Sequence, residues 1–274
     1  MTVRAPLALV AAFVTASCAA SLTKLPAGPG TPADDAVGVL AQALAACQRV
    51  NSLSAEVRVG GKAGRQRLRG RLVAGLVAPE TAYLEAPAPF GAPVFIFAAN
   101  GDDATLLLPR DKRVLEHGRS ADVFEAITGV PLSPSELRTT LTGCAEGPPV
   151  ARAQRFGDDW RFIPGSAPGM HDLYLRRERP NAPWRLTAVI RHGPTRTWRV
   201  DYGEFVNDLP CAIRLTSSDV PLLDIRLALS QVEVNAQLDP STLRVQIPAG
   251  TAPITIDELR EAGPLAERQP SSDE

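Results

Sequence analysis

The chain has 274 residues, with 29 Lys+Arg against 30 Asp+Glu, 45% hydrophobic and only 5% aromatic residues. Its length suits one large all-β domain or two small ones. The near-neutral balance excludes the broad basic surface of a nucleic-acid binder.

Residues 1–17 contain the three parts of a secretory signal: Arg4, an apolar run from Ala5 to Ala16, and the small residues Ala16 and Ser17. The run is shorter than the ~20 apolar residues that cross a bilayer. Ala16-Ser17-Cys18 resembles the lipobox of bacterial lipoproteins, with Thr15 where that motif usually has Leu. The resemblance implies cleavage before Cys18 and lipidation of its thiol. With Ala19 rather than Asp following, it also implies anchoring on the periplasmic face of the outer membrane. An ordinary secretory signal with an incidental Cys is the alternative. Residues 18–32, rich in Pro, Gly and small side chains, read as a flexible tether.

Thr31 and Asp34 or Asp35 supply N-cap chemistry for an amphipathic helix from Ala33 to Val50, with Val37, Leu40, Leu44 and Cys47 at helical spacing. Alternation follows in Leu53–Gly60 and again in Gln66–Ala74 after a Gly turn, the pattern of an antiparallel meander with one solvated face. Thr81–Glu85, Val94–Ala98, Ala104–Leu108 and Arg113–His117 continue it, separated by turn sequences. Ala121–Gly143 is helical in two pieces, the second capped by Ser133 or Ser135 with Pro134 in its first turn. Strand patterns resume at Arg155–Phe162, Leu173–Arg176, Trp184–His192, Thr195–Tyr202, Ala212–Ser217, Asp224–Asn235 and Arg244–Ile247. The polar tail, 264–274, reads as disordered.

One domain, 33–263, is therefore expected to be mainly β with helices (α+β). A curved antiparallel sheet forms an incomplete half-barrel, and a helical lid closes it over an apolar cavity. Leu72, Leu84, Phe95, Phe97, Leu106, Leu108, Leu173, Leu175, Ile190 and Ile213 fall on the faces assigned inward and are the expected lining. A one-residue slip of register would invert any strand's contribution. Besides Cys18 there are Cys47, Cys144 and Cys211. An oxidising compartment permits one disulfide with one thiol left over. Cys47 with Cys144 is the expected pair if the first and second helical segments pack together; three unpaired buried thiols is the alternative.

Two stretches resemble the outer-membrane lipoprotein receptor of the lipoprotein-localisation pathway, in the LolA/LolB-like carrier superfamily. One is Tyr83-Leu-Glu-Ala-Pro-Ala-Pro-Phe-Gly-Ala-Pro-Val-Phe-Ile-Phe, and the other is Ile127-Thr-Gly-Val-Pro-Leu-Ser-Pro-Ser-Glu-Leu-Arg-Thr-Thr-Leu-Thr-Gly. Thr139-Thr140 stand where that receptor usually has Trp, and residues 236–274 run past its usual end. The resemblance implies an acceptor that takes lipoprotein acyl chains from a soluble periplasmic carrier into its cavity and passes them to the membrane. Phe90 occupies the protruding loop position, between Pro89 and Gly91. Its plainer reading is a rim side chain of the core.

The histidines, His117, His171 and His192, fit no catalytic or zinc motif, and there is no HExxH, GxSxG, P-loop or CxxC. No enzyme activity, metal or cofactor is expected. Two further functions stay open beside the acceptor: a periplasm-facing carrier or sensor of lipid or a hydrophobic small molecule, and a structural lipoprotein without ligand.

Overall fold

A computed structural model describes residues 22–64, 66–145, 150–165, 170–193, 197–217, 222–239, 241–263 and 265. The signal segment, Cys18 and, apart from Leu265, the tail 264–274 lie outside the described residues.

The elements run β1 (Thr31–Pro32), α1 (Ala36–Leu44), β2 (Ser52–Ala63), β3 (Gln66–Val77), β4 (Thr81–Ala86), β5 (Phe95–Asn100), β6 (Asp103–Leu108) and β7 (Arg113–Arg119). Next come α2 (Ser120–Thr128), α3 (Pro134–Thr142), β8 (Gln154–Phe156), β9 (Trp160–Ile163), β10 (His171–Arg176) and β11 (Arg185–His192). The chain continues through β12 (Thr197–Val206), β13 (Leu209–Ser217), β14 (Leu223–Val234), β15 (Ala252–Pro253) and α4 (Ile256–Ala262). The strands form one sheet in the order β1-β8-β9-β10-β11-β12-β13-β14-β2-β3-β4-β5-β6-β7-β15. Two antiparallel meanders, β2–β7 and β8–β14, are thus joined where β14 pairs with β2. The two ends stay apart, leaving a curved open sheet.

Alternation decides which face is buried. Leu53, Ala55, Val57 and Val59 of β2, and Leu68, Leu72, Ala74 and Leu76 of β3, all face the core; burying each large one is worth ~1.5–3 kcal/mol. Gly61 sits at φ 132°, and a Cβ there would lie 2.0 Å from the Asp224 carbonyl oxygen. Only glycine lets β14 approach β2 this closely.

The helices fill the concave side. α1 packs on β9–β11, α2 on β6 and β7, and α3 on β3, β4 and β13. Ser133 caps α3 through a reciprocal box: its hydroxyl accepts the Glu136 N–H at 3.2 Å, while Glu136 Oε2 accepts the Ser133 N–H at 2.9 Å. Pro134 opens the helix and Gly143 closes it in the left-handed region. A disulfide joins Cys47, just beyond α1, to Cys144, just beyond α3.

Arg161 is buried and donates both Nε (2.7 Å) and Nη2 (2.8 Å) to the Asp35 carboxylate at the head of α1. These hydrogen bonds hold the Asp35 carboxyl below its usual 3.8, and Arg214 does the same for Asp224. A depressed folded-state pKa stabilises the fold fully above the ordinary value and ceases to do so as pH falls through the lowered one. Melting temperature is therefore expected to hold from pH 7 to about 5 and to fall below about 4. Asp35→Asn is expected to flatten that fall in a pH series of thermal melts; an unchanged acid limb would remove Asp35 from the account.

Several expected boundaries shift. The stretch Arg155–Phe162 is two short strands around a turn at 157–159, and Arg244–Ile247 is irregular rather than a strand. Residues 22–32 do not hang free: β1 pairs with β8, and the Thr23 N–H donates to buried Asp201 at 3.1 Å. The C-terminal segment holds a helix, α4, whose Leu259 is fully buried.

Candidate functional site

Between the concave face and the helices lies an apolar cavity. Val57, Val59, Leu68, Leu72 and Leu84 line it from β2–β4, and Leu215, Ile225 and Leu227 from β13–β14. Phe124, Val130, Leu132, Leu137 and Leu141 line it from α2, α3 and their connection. Its two hydroxyls are engaged: Thr128 donates to the Phe124 carbonyl at 2.8 Å, and Thr140 accepts from Arg191 Nη2 at 3.0 Å. No titratable side chain is among the lining residues. Such a wall offers dispersion and dryness but no hydrogen bond, which suits aliphatic chains.

The cavity volume is about 50 Å³, far below the roughly 300 Å³ at which small-molecule sites begin. The C-terminal segment helps to fill it. β4 pairs with β3 only as far as Val73 opposite Glu85, because the Pro-rich loop then leaves the sheet. Beyond that point the Arg69 N–H donates to the Leu265 carbonyl at 3.3 Å. The Leu265 side chain enters the cavity wall, 3.1 Å from where a Gly70 Cβ would stand. Upstream, α4 is held by Arg113, 3.1 Å from Glu258, and by Arg260, 3.6 Å from Glu125 of α2. The Thr255 backbone and hydroxyl, then Arg113, hold the Glu258 carboxyl down at about 2.

α3 is tied to the sheet beside the cavity by Arg191. Its guanidinium is buried, bonds Thr140, stacks 5.0 Å over the Trp198 ring and lies 3.8 Å from Glu136. Burial pushes the neighbouring Tyr202 hydroxyl up to about 12, keeping it neutral.

Of the ten expected lining residues, Leu72 and Leu84 line the cavity. Phe95, Phe97, Leu106 and Leu108 are buried core, Phe97 meeting Phe124 of α2 at 6.0 Å between ring centroids. Leu173, Leu175 and Ile213 are fully buried but do not line the cavity. Ile190 is a correction. A bulge in β11 places Leu186 opposite Leu175 but Ala188 opposite Tyr174, so the inward parity switches from even to odd residues. Val189 and Arg191 thereby turn inward, and Ile190 faces outward, half-buried. The expected lining lacks Val57, Val59, Leu68, Leu215, Ile225, Leu227, the helix residues and Leu265. The alternation of β2 and β3 carried the signal for the first three.

The loop from Pro87 to Val94 carries Phe90, 89% exposed, with exposed Pro89 and Gly91 beside it. Gly91 takes φ 75°, and Arg110 braces the loop by donating to the Phe90 and Ala92 carbonyls at 3.2 and 3.1 Å. Phe90→Glu is expected to change stability by no more than about 0.5 kcal/mol, as for other exposed positions. A larger loss in denaturant melts would make Phe90 part of the core.

No family model matches the sequence, and no curated protein does. Among solved structures, a LolA superfamily protein from Nitrosomonas europaea superposes with a TM-score of 0.56 at 14% identity, over 77% of this chain and 97% of that one. The chain has a LolA-like fold. An outer membrane lipoprotein-sorting protein domain from Vibrio parahaemolyticus aligns over 76% of this chain and 97% of its own at 13% identity, with a TM-score of 0.46. Lipoprotein LppX of Mycobacterium tuberculosis aligns over 76% and 100% at 13% identity, with a TM-score of 0.33. Within the LolA-like fold, the curved sheet is the wall of the cavity and α2–α3 are its cover. No helix among the described residues is long and apolar enough to cross a membrane.

Proposed function

We propose that the chain is a lipoprotein, anchored through Cys18 to the periplasmic face of the outer membrane, that binds acyl chains of lipoproteins between its curved sheet and α2–α3. The observation that carries this reading is the cavity wall, apolar throughout, with both hydroxyls already bonded and no titratable group. The LolA-like fold and the sequence resemblance to the lipoprotein receptor support it. Binding is non-covalent, because the wall supplies no acid, base or nucleophile pair.

A cavity of about 50 Å³ cannot hold an acyl chain. Entry therefore requires Leu265 to withdraw from beside Gly70, or α3 to lift from Arg191. Exposed Phe90 then provides an apolar step between cargo and bilayer, and the cargo arrives from a soluble periplasmic carrier.

The test is native mass spectrometry with lipid extraction on the chain beginning at Ala19, which keeps every described residue. Recovery of acylated polypeptide, or its uptake from a loaded carrier, is expected. Free phospholipid or glycolipid would instead favour lipid carriage by the same cavity. A protein that is empty and refuses every acyl probe would overturn the reading.

A further inference from the structure

The outer face of the strands that wall the cavity is not an ordinary solvated surface. β14, β2 and β3 frame an open groove of about 930 Å³. Its floor is Gly60, paired with Arg226 on one side and Arg69 on the other. A Cβ at Gly60 would meet nothing within 4 Å, so the floor is vacant space between two guanidinium-bearing strands. Arg58, Lys62, Arg67 and Arg71 complete the wall, and all four are exposed.

The register sets like charges against each other. Arg58 stands directly opposite Arg71, and Lys62 directly opposite Arg67. Like charges at directly opposed positions destabilise a sheet. Among the described residues, Glu56 lies 3.3 Å from Arg71, and Asp224 is shared by Arg214 and Arg226. Arg69 aside, Arg58, Lys62, Arg67, Arg71 and Arg226 crowd one notch, and their positive field is one that an anion would relieve.

Position says which anion. The groove lies toward the end of the sheet where β2 meets β3 and where β14 begins. Leu222, 62% exposed, is at that end, its carbonyl accepting the Gly64 N–H at 2.8 Å. The Phe90 loop leaves the sheet at the same end, since β4 runs out beside β3 at Val73. A basic notch toward the same end of the sheet as two exposed apolar side chains matches a bilayer interface, where headgroup phosphates lie just above the first acyl carbons. The leash agrees. Thr23 is fixed to Asp201, and the five residues back to Cys18 reach at most about 17 Å. Asp201 lies four residues along β12 from that end, about 13 Å.

We infer that the groove around Gly60 is a docking surface for the phosphate headgroups of an anionic bilayer, which seats the end of the sheet bearing Phe90 against the membrane. Contact with anionic lipid screens the opposed Arg and Lys pairs, and the apolar tips enter beside them. The inference is independent of what the cavity binds.

The test is co-sedimentation of the unlipidated chain from Ala19 with phosphatidylcholine vesicles, with and without phosphatidylglycerol. Binding is expected only to the anionic vesicles and to weaken as salt rises. The variant Arg58→Gln/Lys62→Gln/Arg67→Gln is expected to bind them roughly 100-fold more weakly, from the usual worth of each cation at an anionic surface. Its melting temperature should not fall, because the substitutions relieve repulsion between exposed side chains. Arg58→Lys/Arg67→Lys should retain binding, since charge and not guanidinium geometry is what the surface reads. Equal binding of the Gln variant and the wild type would overturn the inference. So would indifference to phosphatidylglycerol, or binding to an acidic periplasmic protein in place of vesicles. Because the chain carries no lipid in this assay, a failed anchor at Cys18 would leave the result readable.

Discussion

Replacing Cys47 and Cys144 together by Ala is expected to lower the unfolding free energy by about 4 kcal/mol. The bridge spans 97 residues of sequence, and closing so long a loop in the unfolded chain removes much of its entropy. The loop encloses β2–β7 and both cover helices, so the unfolded state of the variant gains freedom over almost half the domain. The native state is affected locally, where the ends of α1 and α3 are held together at one corner of the cavity. Urea titration of the oxidised wild type and of the variant measures the difference through the transition midpoint. A loss under about 1 kcal/mol would mean that the unfolded chain is already compact across this span. Burial raises the pKa of the free Cys211 thiol, which disfavours the thiolate that exchange requires.

Removing Leu265 is expected to open the cavity. Its side chain is 4% exposed, so Leu265→Ala should cost about 2 kcal/mol of stability. An acyl chain entering the wild type must displace that same side chain. In the variant the displacement is already made, so affinity for a fluorescent fatty-acyl probe should rise by roughly 30-fold, the equivalent of those 2 kcal/mol. Stability and affinity thus move in opposite directions, which a simple packing defect does not predict. A variant that loses stability without gaining probe affinity would place the gate elsewhere, with α3 and Arg191 as the next candidate.

Much of the architecture is legible in the residues because the periodicities are clean. Strict alternation in Leu53–Val59, and the change of period at Ser120, mark the strand blocks and the cover helices to within a few residues. Ser133 or Ser135 with Pro134 similarly marks the start of α3, and the cap proves to be Ser133. Three things escaped, each for a physical reason. The β11 bulge at Thr187 leaves no mark in composition, yet it inverts the strand beyond it, turning Ile190 out and Arg191 in. The docking of Thr23 on Asp201 depends on partners 178 residues apart, which no local pattern encodes. Leu265 sits in a polar tail and is buried only because the Phe90 loop leaves the edge of β3 bare. α4 was readable: Thr255 and Glu258 have capping-box spacing. Its short length and the surrounding prolines masked it.

The candidate site was legible as a class and not as a list. Apolar inward positions mark a dry interior, but whether one of them is packed core or cavity wall depends on where the helices fall short of the sheet. Phe97 meets Phe124 and is core, whereas Leu84, on the neighbouring strand and directly opposite it in register, faces the space.

Acyl-chain binding between the sheet and α2–α3 is tested most directly by cross-linking. A photoactivatable fatty-acyl probe is added to the unlipidated chain from Ala19, and the labelled peptides are identified by mass spectrometry. Labels concentrated on Leu68–Leu72, Leu84 and the stretch from Phe124 to Leu141, and increased in Leu265→Ala, are the expected result. Labels confined to Phe90, Leu222 and other exposed side chains, unaffected by Leu265→Ala, would contradict it.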